Sequence, residues 1–491
     1  MSRSTASLVI PRVASFKTVT AFRAHLASLP IQMECDEALL PPESSPLGRP
    51  TSVAGRSIGN RFAVQPMEGW DGTLDGAPSE HTLRRWRNFG LSGAKLIWGG
   101  EAIAVRPEGR ANPNQLYCSE SNRAGLEKLL EALKGAHRER YGGIDGLLVG
   151  AQLTHSGRFC RPDPDGKVRP RIAYRHPILD PMFGVRDDSA LFTDMELDGL
   201  VEDFVQAARQ AGEAGFGFVD VKHCHGYLLH ELLSARARPG RYGGSLDNRT
   251  RLLREITAGI RRDAPGLLIG VRVSVFDMVP FRKAPEAGSV GTPADISGLR
   301  PYRFAFGVDA DQPTKIDLTE PIQFLKLCRE LGVSLINLTG GSPYYNPHIQ
   351  RPAFFPPSDG YAPPEDPLTG CARLMAAAAE CARAVPGPLY VGTGYSYLQD
   401  YLPLVAQAQV RLGHVHFAGL GRSTLSYPDL PHDVLSGAKL DSKRYCRTFS
   451  DCTTGPRNGM ISGCFPLDPY YKALPEARRV KEVKARLAAG T

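Results

Sequence analysis

Phe218-Val219-Asp220-Val221-Lys222-His223-Cys224-His225-Gly226-Tyr227 reads as a short strand, apolar at its start, that delivers a dense run of polar side chains at its carboxyl end. A helix precedes it. Thr193 and Glu196 form a capping box, and Leu197, Leu200, Val201, Phe204, Val205 and Ala208 then share one face. A second helical pattern, 247–263, follows. Seven further runs of the same kind lie outward from this one, at 61–66, 94–100, 147–153, 268–274, 334–340, 389–394 and 414–419. Most are apolar nearly throughout, as expected of strands covered on both faces of a parallel sheet. Helical patterns over 119–141, 319–331, 369–385 and 397–412 separate them. Eight strands alternating with helices predict an α/β fold, a closed (β/α)8 TIM barrel.

The spacing is uneven. Residues 157–188, 280–317 and 341–366 are long loops leaving the carboxyl ends of strands three, five and six, the face on which barrel chemistry is built. Residues 1–55 read as an N-terminal extension, 56–437 as the barrel and 438–491 as a C-terminal extension.

At 491 residues, with 42% hydrophobic and 22% charged, the chain is ordinary for a globular protein, which excludes wholesale disorder and a collagen-like class. The 59 basic residues exceed the 51 acidic ones by 8, a mild surplus with no basic run of five, so no nucleic-acid partner is implied. Ten cysteines suit reduced thiols in a cytoplasmic protein better than a disulfide scaffold. No run approaches the roughly 18 apolar residues of a membrane span. Arg3, Arg12, Lys17 and Arg23, with no acid before residue 34, give a transit-like composition, but 18–29 reads as an ordinary amphipathic helix. A small-molecule substrate is the expected partner; a homo-oligomer and an electron-transfer partner both stay open.

The strand ends converge on one chemistry. Strand one delivers Gln65-Pro66-Met67-Glu68, strand two Gly99-Gly100, strand three Gln152, strand five Arg272, strand seven Gly394 and strand eight Gly421-Arg422. An amide, imidazoles, a phenol, guanidiniums and glycines on one face suit a planar, hydrogen-bonding ligand with a phosphate tail. The segments NRFAVQPM, GAKLIWGGEAIAV, AQLTHSGR, HGYLLHELLS, RYGGSLDNRTRLLREI, IGVRVSVFD and FAGLGRSTLSYPDLP occur in an order that resembles the old yellow enzyme family of FMN-dependent oxidoreductases, including its dienoyl-CoA reductase-like members.

The resemblance implies FMN as cofactor and NAD(P)H as reductant. It implies hydride transfer to an unsaturated carbonyl-type substrate through flavin N5. By the same resemblance Gln152 and Arg272 match the groups on the flavin pyrimidine edge, and Pro66, Met67, Glu68 and Gly100 match the residues around the ring. Gly394, Gly421 and Arg422 match the phosphate site. Tyr227 matches the proton donor, and His225 a group gripping the substrate carbonyl, aided by Lys222 or His223. Lys222 stands where His or Asn is usual, and Glu68 where a small residue is usual. Flavin-dependent oxidation of an amine or a saturated carbonyl compound is the alternative that Glu68 leaves open. Two rivals from other classes are a metal-dependent barrel hydrolase using the H-x-H of His223 and His225 and a non-catalytic flavin-binding barrel. In larger relatives a four-iron cluster sits on C-x2-C-x3-C-x11-C. Here Cys452 and Cys464 match the last two positions, Tyr445 and Thr448 replace the first two, and Cys446 is out of register. No metal site and no bound cluster are therefore expected.

Overall fold

The structure, a computed structural model, describes residues 10–283 and 289–489. Eight strands form its barrel: β1 (Phe62–Val64), β2 (Leu96–Ile97), β3 (Leu148–Thr154), β4 (Phe218–Val221), β5 (Leu268–Ser274), β6 (Leu335–Thr339), β7 (Leu389–Gly392) and β8 (Phe417–Leu420). Each pairs in parallel with the next, and β8 closes on β1 through Ala418 opposite Phe62. Closure leaves no exposed edge. The helices between and after them are α1 (Glu80–Leu91), α2 (Arg123–Tyr141), α3 (Asp194–Glu213), α4 (Arg251–Asp263), α5 (Thr319–Glu330), α6 (Pro367–Ala384), α7 (Leu402–Arg411) and α8 (Leu430–Ser436). This is the architecture the strand–helix alternation predicts.

Two elements differ from expectation. The run 94–100 yields only two strand residues, because Gly99 and Gly100 adopt φ of 113° and 54°, outside the extended region. The ladder resumes beyond them, where Ala102–Ala104 pairs with Gln152–Thr154. The pattern over 397–412 is helical in two pieces, a tight turn from Tyr395 to Tyr401 and then α7.

Strand residues alternate between two apolar layers. Phe218 and Trp98 fill the barrel interior, while Val219 and Val221 face the helices. Glycines make that interior possible. A Cβ on Gly150 would lie 2.3 Å from the Phe218 ring, and one on Gly270 would lie 3.2 Å from Trp98. Above this aromatic floor the inward positions turn polar, with Asp220, Lys222, Gln152 and Arg272 all buried.

The flanking segments pack on the barrel. In the N-terminal helix Val19–Ala27, capped by Thr18, Phe22 stacks on Tyr401 at 3.9 Å. Arg3 of the transit-like run lies outside the described residues, as does part of the 280–317 loop. The C-terminal segment has its own small cluster of Met460, Phe465, Tyr471 and Val480. It is clamped to α1 by a two-pronged pair of Arg84 with Asp468 at 2.9 and 3.0 Å. Among the described residues no helix is long and apolar enough to cross a membrane.

Candidate active site

One cavity opens at the carboxyl ends of the strands. Of the residues singled out from sequence, Pro66, Met67, Glu68, Gln152, Lys222, His225, Tyr227, Arg272, Gly394, Gly421 and Arg422 line it. Two do not. The Nδ1 of His223 bonds the Val221 carbonyl at 2.7 Å, and its ring packs on Phe324 of α5 at 5.4 Å. The strand period explains this: Lys222 points in, so His223 points out. The H-x-H pair is thereby split, with His225 near Thr339 and Gln350 and His223 in the helix layer. Among the described residues no three His, Cys, Asp or Glu side chains converge on a metal position. Gly100 also stays out. A Cβ there would meet Trp86 at 2.8 Å, and its contribution is the carbonyl that accepts Met67 N–H at 3.0 Å.

At the barrel end of the cavity, Asp220 organises its neighbours. Its carboxylate accepts Trp98 Nε1–H at 2.7 Å, Gln152 Nε2–H at 2.6 Å and the Arg272 backbone N–H at 2.7 Å. Burial pushes its pKa up, and these bonds oppose the shift. Because an ionised carboxylate only accepts, it takes the amide nitrogen of Gln152 and leaves the amide oxygen for the cavity. Arg272 donates through Nη1 to the Pro66 carbonyl at 3.3 Å, while its buried Nε has no partner among the described residues. Burial also lowers the Arg272 pKa. Gln65 and Asn337 exchange two hydrogen bonds, 2.6 and 3.2 Å, beneath this group.

A second end is built after β7 and β8. Gly394, at φ 99°, starts the tight turn of Tyr395 to Tyr401, a conformation that favours glycine. A Cβ on Gly421 would meet nothing nearer than 4.0 Å, so a ligand can approach its backbone. Arg422 donates Nη2 to the Pro352 carbonyl at 2.9 Å, while its buried Nη1 and the hydroxyl of Thr393 lack partners among the described residues. Arg351 lies beside it, and burial together with the Arg422 charge lowers its pKa to about 10. Two mutually repelling guanidiniums, one with an unpartnered Nη1 and the other donating to the Thr453 and Ser450 hydroxyls, next to an open backbone are the chemistry of a phosphate cradle.

The third region carries Tyr227. Its hydroxyl donates to the Glu68 carboxylate and shares a 2.9 Å bond with Tyr344. Lys222 Nζ sits 3.7 Å from the Tyr227 ring centroid. Burial first, then Glu68 and Tyr344, hold the phenol pKa well above its usual 10, so Tyr227 is protonated at neutral pH. Burial, with Arg272 and Lys222 nearby, holds His225 well below 6.5 and hence neutral. Burial likewise lowers Lys222.

A buried cluster lies near Glu68, whose charge helps raise the Glu101 pKa. Arg85 pairs with Asp71 and with Glu101, the latter at 2.7 Å, and Asp71 accepts the Ser462 N–H at 2.7 Å. The C-terminal segment thus reaches the cavity and adds Cys452, Thr453, Pro456, Arg457 and Ser462 to its wall. Residues missed from sequence are Arg161, Gln350, Arg351 and Arg457, while Tyr344, readable from sequence as either loop packing or a substrate wall, lines the cavity. They lie on loops, in the one-turn helix Pro347–Gln350 or in the C-terminal segment, where no periodicity marks an inward position. Cys446, Cys452 and Cys464 are free thiols, and Cys452 lines the cavity.

The sequence model of the NADH:flavin oxidoreductase / NADH oxidase family matches residues 46–285. NADPH dehydrogenase of Bacillus subtilis (strain 168) is 29% identical over 304 residues, covering 60% of this chain and 72% of the relative. Two solved structures share the fold. The old yellow enzyme homologue from Zymomonas mobilis has TM-score 0.54 at 21% identity, covering 82% of this chain and 99% of that one. A 2-naphthoyl-CoA reductase complex has TM-score 0.63 at 18% identity, covering 87% of this chain. This chain spans 57% of the length of that reductase.

Proposed function

We propose that this chain is a member of the NADH:flavin oxidoreductase / NADH oxidase family, the old yellow enzyme family in its broad sense, and that it is an FMN-dependent NAD(P)H oxidoreductase reducing a small unsaturated carbonyl-type substrate in the cytoplasm. The observation that carries the reading is the set of unpaired donors in one cavity. The unpartnered Arg272 Nε faces the β5 end, and Arg422 Nη1 and Thr393 Oγ1 face the β7–β8 end. Those atoms are costly to bury unless a ligand satisfies them. Gln152 and Arg272 would hold the pyrimidine edge of FMN. Pro66 and Met67 would hold its ring, and Gly394, Gly421, Arg422 and Arg351 its phosphate. Bound there, FMN supplies two-electron hydride chemistry.

The remaining roles belong to the chain's own side chains. A cation at Arg272 stabilises negative charge gathered at the β5 end. Tyr227 Oη–H is the proton source for the substrate α-carbon, as a phenol kept protonated at working pH. His225, neutral and held by Gln350 at 3.2 Å, orients the substrate carbonyl, and Lys222 adds positive charge as the oxyanion develops. Glu68 is occupied by the Tyr227 hydroxyl, which leaves it poorly placed to pair with a cationic amine. Reduction of a carbonyl-activated alkene is therefore favoured over amine oxidation.

Anaerobic titration at the flavin band tests this reading. NAD(P)H should bleach absorbance near 450 nm, and a cyclic enone should restore it. Protein that takes up FMN but is bleached by neither nicotinamide would be a binder rather than this enzyme.

A further inference from the structure

Cationic side chains outnumber carboxylates on the cavity wall, where Glu68 is the one acid among the described residues. Most of the cations have work assigned. Arg85 is bound by Asp71 and Glu101, Arg272 faces the β5 end, and Arg351 and Arg422 face each other at the β7–β8 end. Arg161 and Arg457 remain.

These two reach the cavity from unrelated parts of the chain, the loop after β3 and the C-terminal segment, and both act on Tyr344, lowering its otherwise burial-raised pKa. Arg161 makes no ion pair among the described residues, and its Nε is buried without a partner. The Arg457 guanidinium lies 4.4 Å over the Tyr344 ring, and its acidic partner, Asp359 at 3.2 Å, is about half exposed and weakened by solvent. Tyr344 in turn stacks on Phe159 at 3.9 Å and bonds Tyr227 at 2.9 Å. Two guanidiniums, that of Arg161 without a carboxylate partner among the described residues and that of Arg457 paired only with a half-exposed one, therefore stand one aromatic ring away from the proton donor.

Resting on the reading above, we infer that Arg161 and Arg457 form a substrate-anion site, and that the substrate is an unsaturated carbonyl compound bearing a carboxylate a few bonds from the reacting alkene. The short path through Tyr344 sets that length. A phosphate at the end of a long coenzyme tail would lie far outside it. A carboxylate also matches the forked donors of two guanidiniums and satisfies the buried Nε. The anion would hold one end of the substrate while His225 and Lys222 grip the carbonyl, fixing which alkene carbon faces Tyr227.

The test uses oxidised, FMN-loaded protein without reductant, so binding is read apart from turnover. A cyclic enone carrying a carboxymethyl group, and its methyl ester, are titrated by the shift of the flavin band and by calorimetry. The acid should bind about ten- to a hundredfold tighter than the ester, and salt should weaken the acid alone. R161Q and R457Q should each abolish most of that preference while retaining one FMN per chain. Equal affinity for acid and ester in the unaltered protein, or a preference undiminished in both variants, would overturn the inference even with FMN bound. Failure to take up FMN would overturn the functional reading on which it rests.

Discussion

Tyr227→Phe should slow oxidation of the reduced enzyme by an enone by roughly a hundred- to ten-thousandfold, the range for losing a positioned general acid. It should leave reduction by NAD(P)H within a few-fold of the unaltered rate. The asymmetry follows from what the hydroxyl touches. That hydroxyl lies between Glu68 and Tyr344, and its pKa is raised by burial and by those two groups, so it stays protonated at neutral pH, as the proposed proton source must. Nothing in that arrangement serves delivery of hydride from a nicotinamide. Stopped-flow measurement of the two half-reactions separates the effects. Equal loss in both would assign Tyr227 to positioning the flavin or the nicotinamide and remove it as the acid.

The largest expected effect on stability is at Arg85. Its side chain is 3% exposed, with Asp71 and Glu101 at 0% and 2%. Replacing it by Met keeps the volume but strands two buried carboxylates, which costs about 3–5 kcal/mol where a buried pair loses one partner. Burial already raises the Glu101 pKa against the pull of Arg85, so without the guanidinium it rises further. Folding then takes up a proton, and the deficit of Arg85→Met should shrink as pH is lowered. Arg85 also donates to the Ser462 carbonyl at 3.2 Å, so the C-terminal segment should loosen with it. Urea unfolding at pH 8 and pH 5 reads both effects. A deficit below about 1 kcal/mol at pH 8 would mean that solvent reaches these carboxylates.

The barrel was legible because its signal is repeated: eight apolar runs, each bounded by a helix start, leave one closed architecture that buries all of them. The break at Gly99–Gly100 was not, since a pair of glycines inside an apolar run gives no sign of which φ they take. The inward side chains of β4 were only half read. Alternation along Asp220, Val221, Lys222 and His223 puts Asp220 and Lys222 on one side and His223 on the other, and applying that rule would have excluded His223 and named Asp220, the acceptor that orients Gln152. Arg161, Arg351 and Arg457 carry no such rule. Their inward direction is set by loop paths and by the docking of a C-terminal segment through Arg84, Arg85 and Asp468, contacts that join positions nearly 400 residues apart.

The proposed FMN site holds the cofactor by both its ring and its phosphate. Titration of the FMN-free protein with FMN and with riboflavin, read by quenching of flavin fluorescence, addresses this directly. One FMN should bind per chain, riboflavin should bind more weakly by at least about tenfold for want of the phosphate contacts, and an Arg422→Met variant should no longer distinguish the two. No binding of either flavin, or equal binding of both by the unaltered protein, would contradict the proposal.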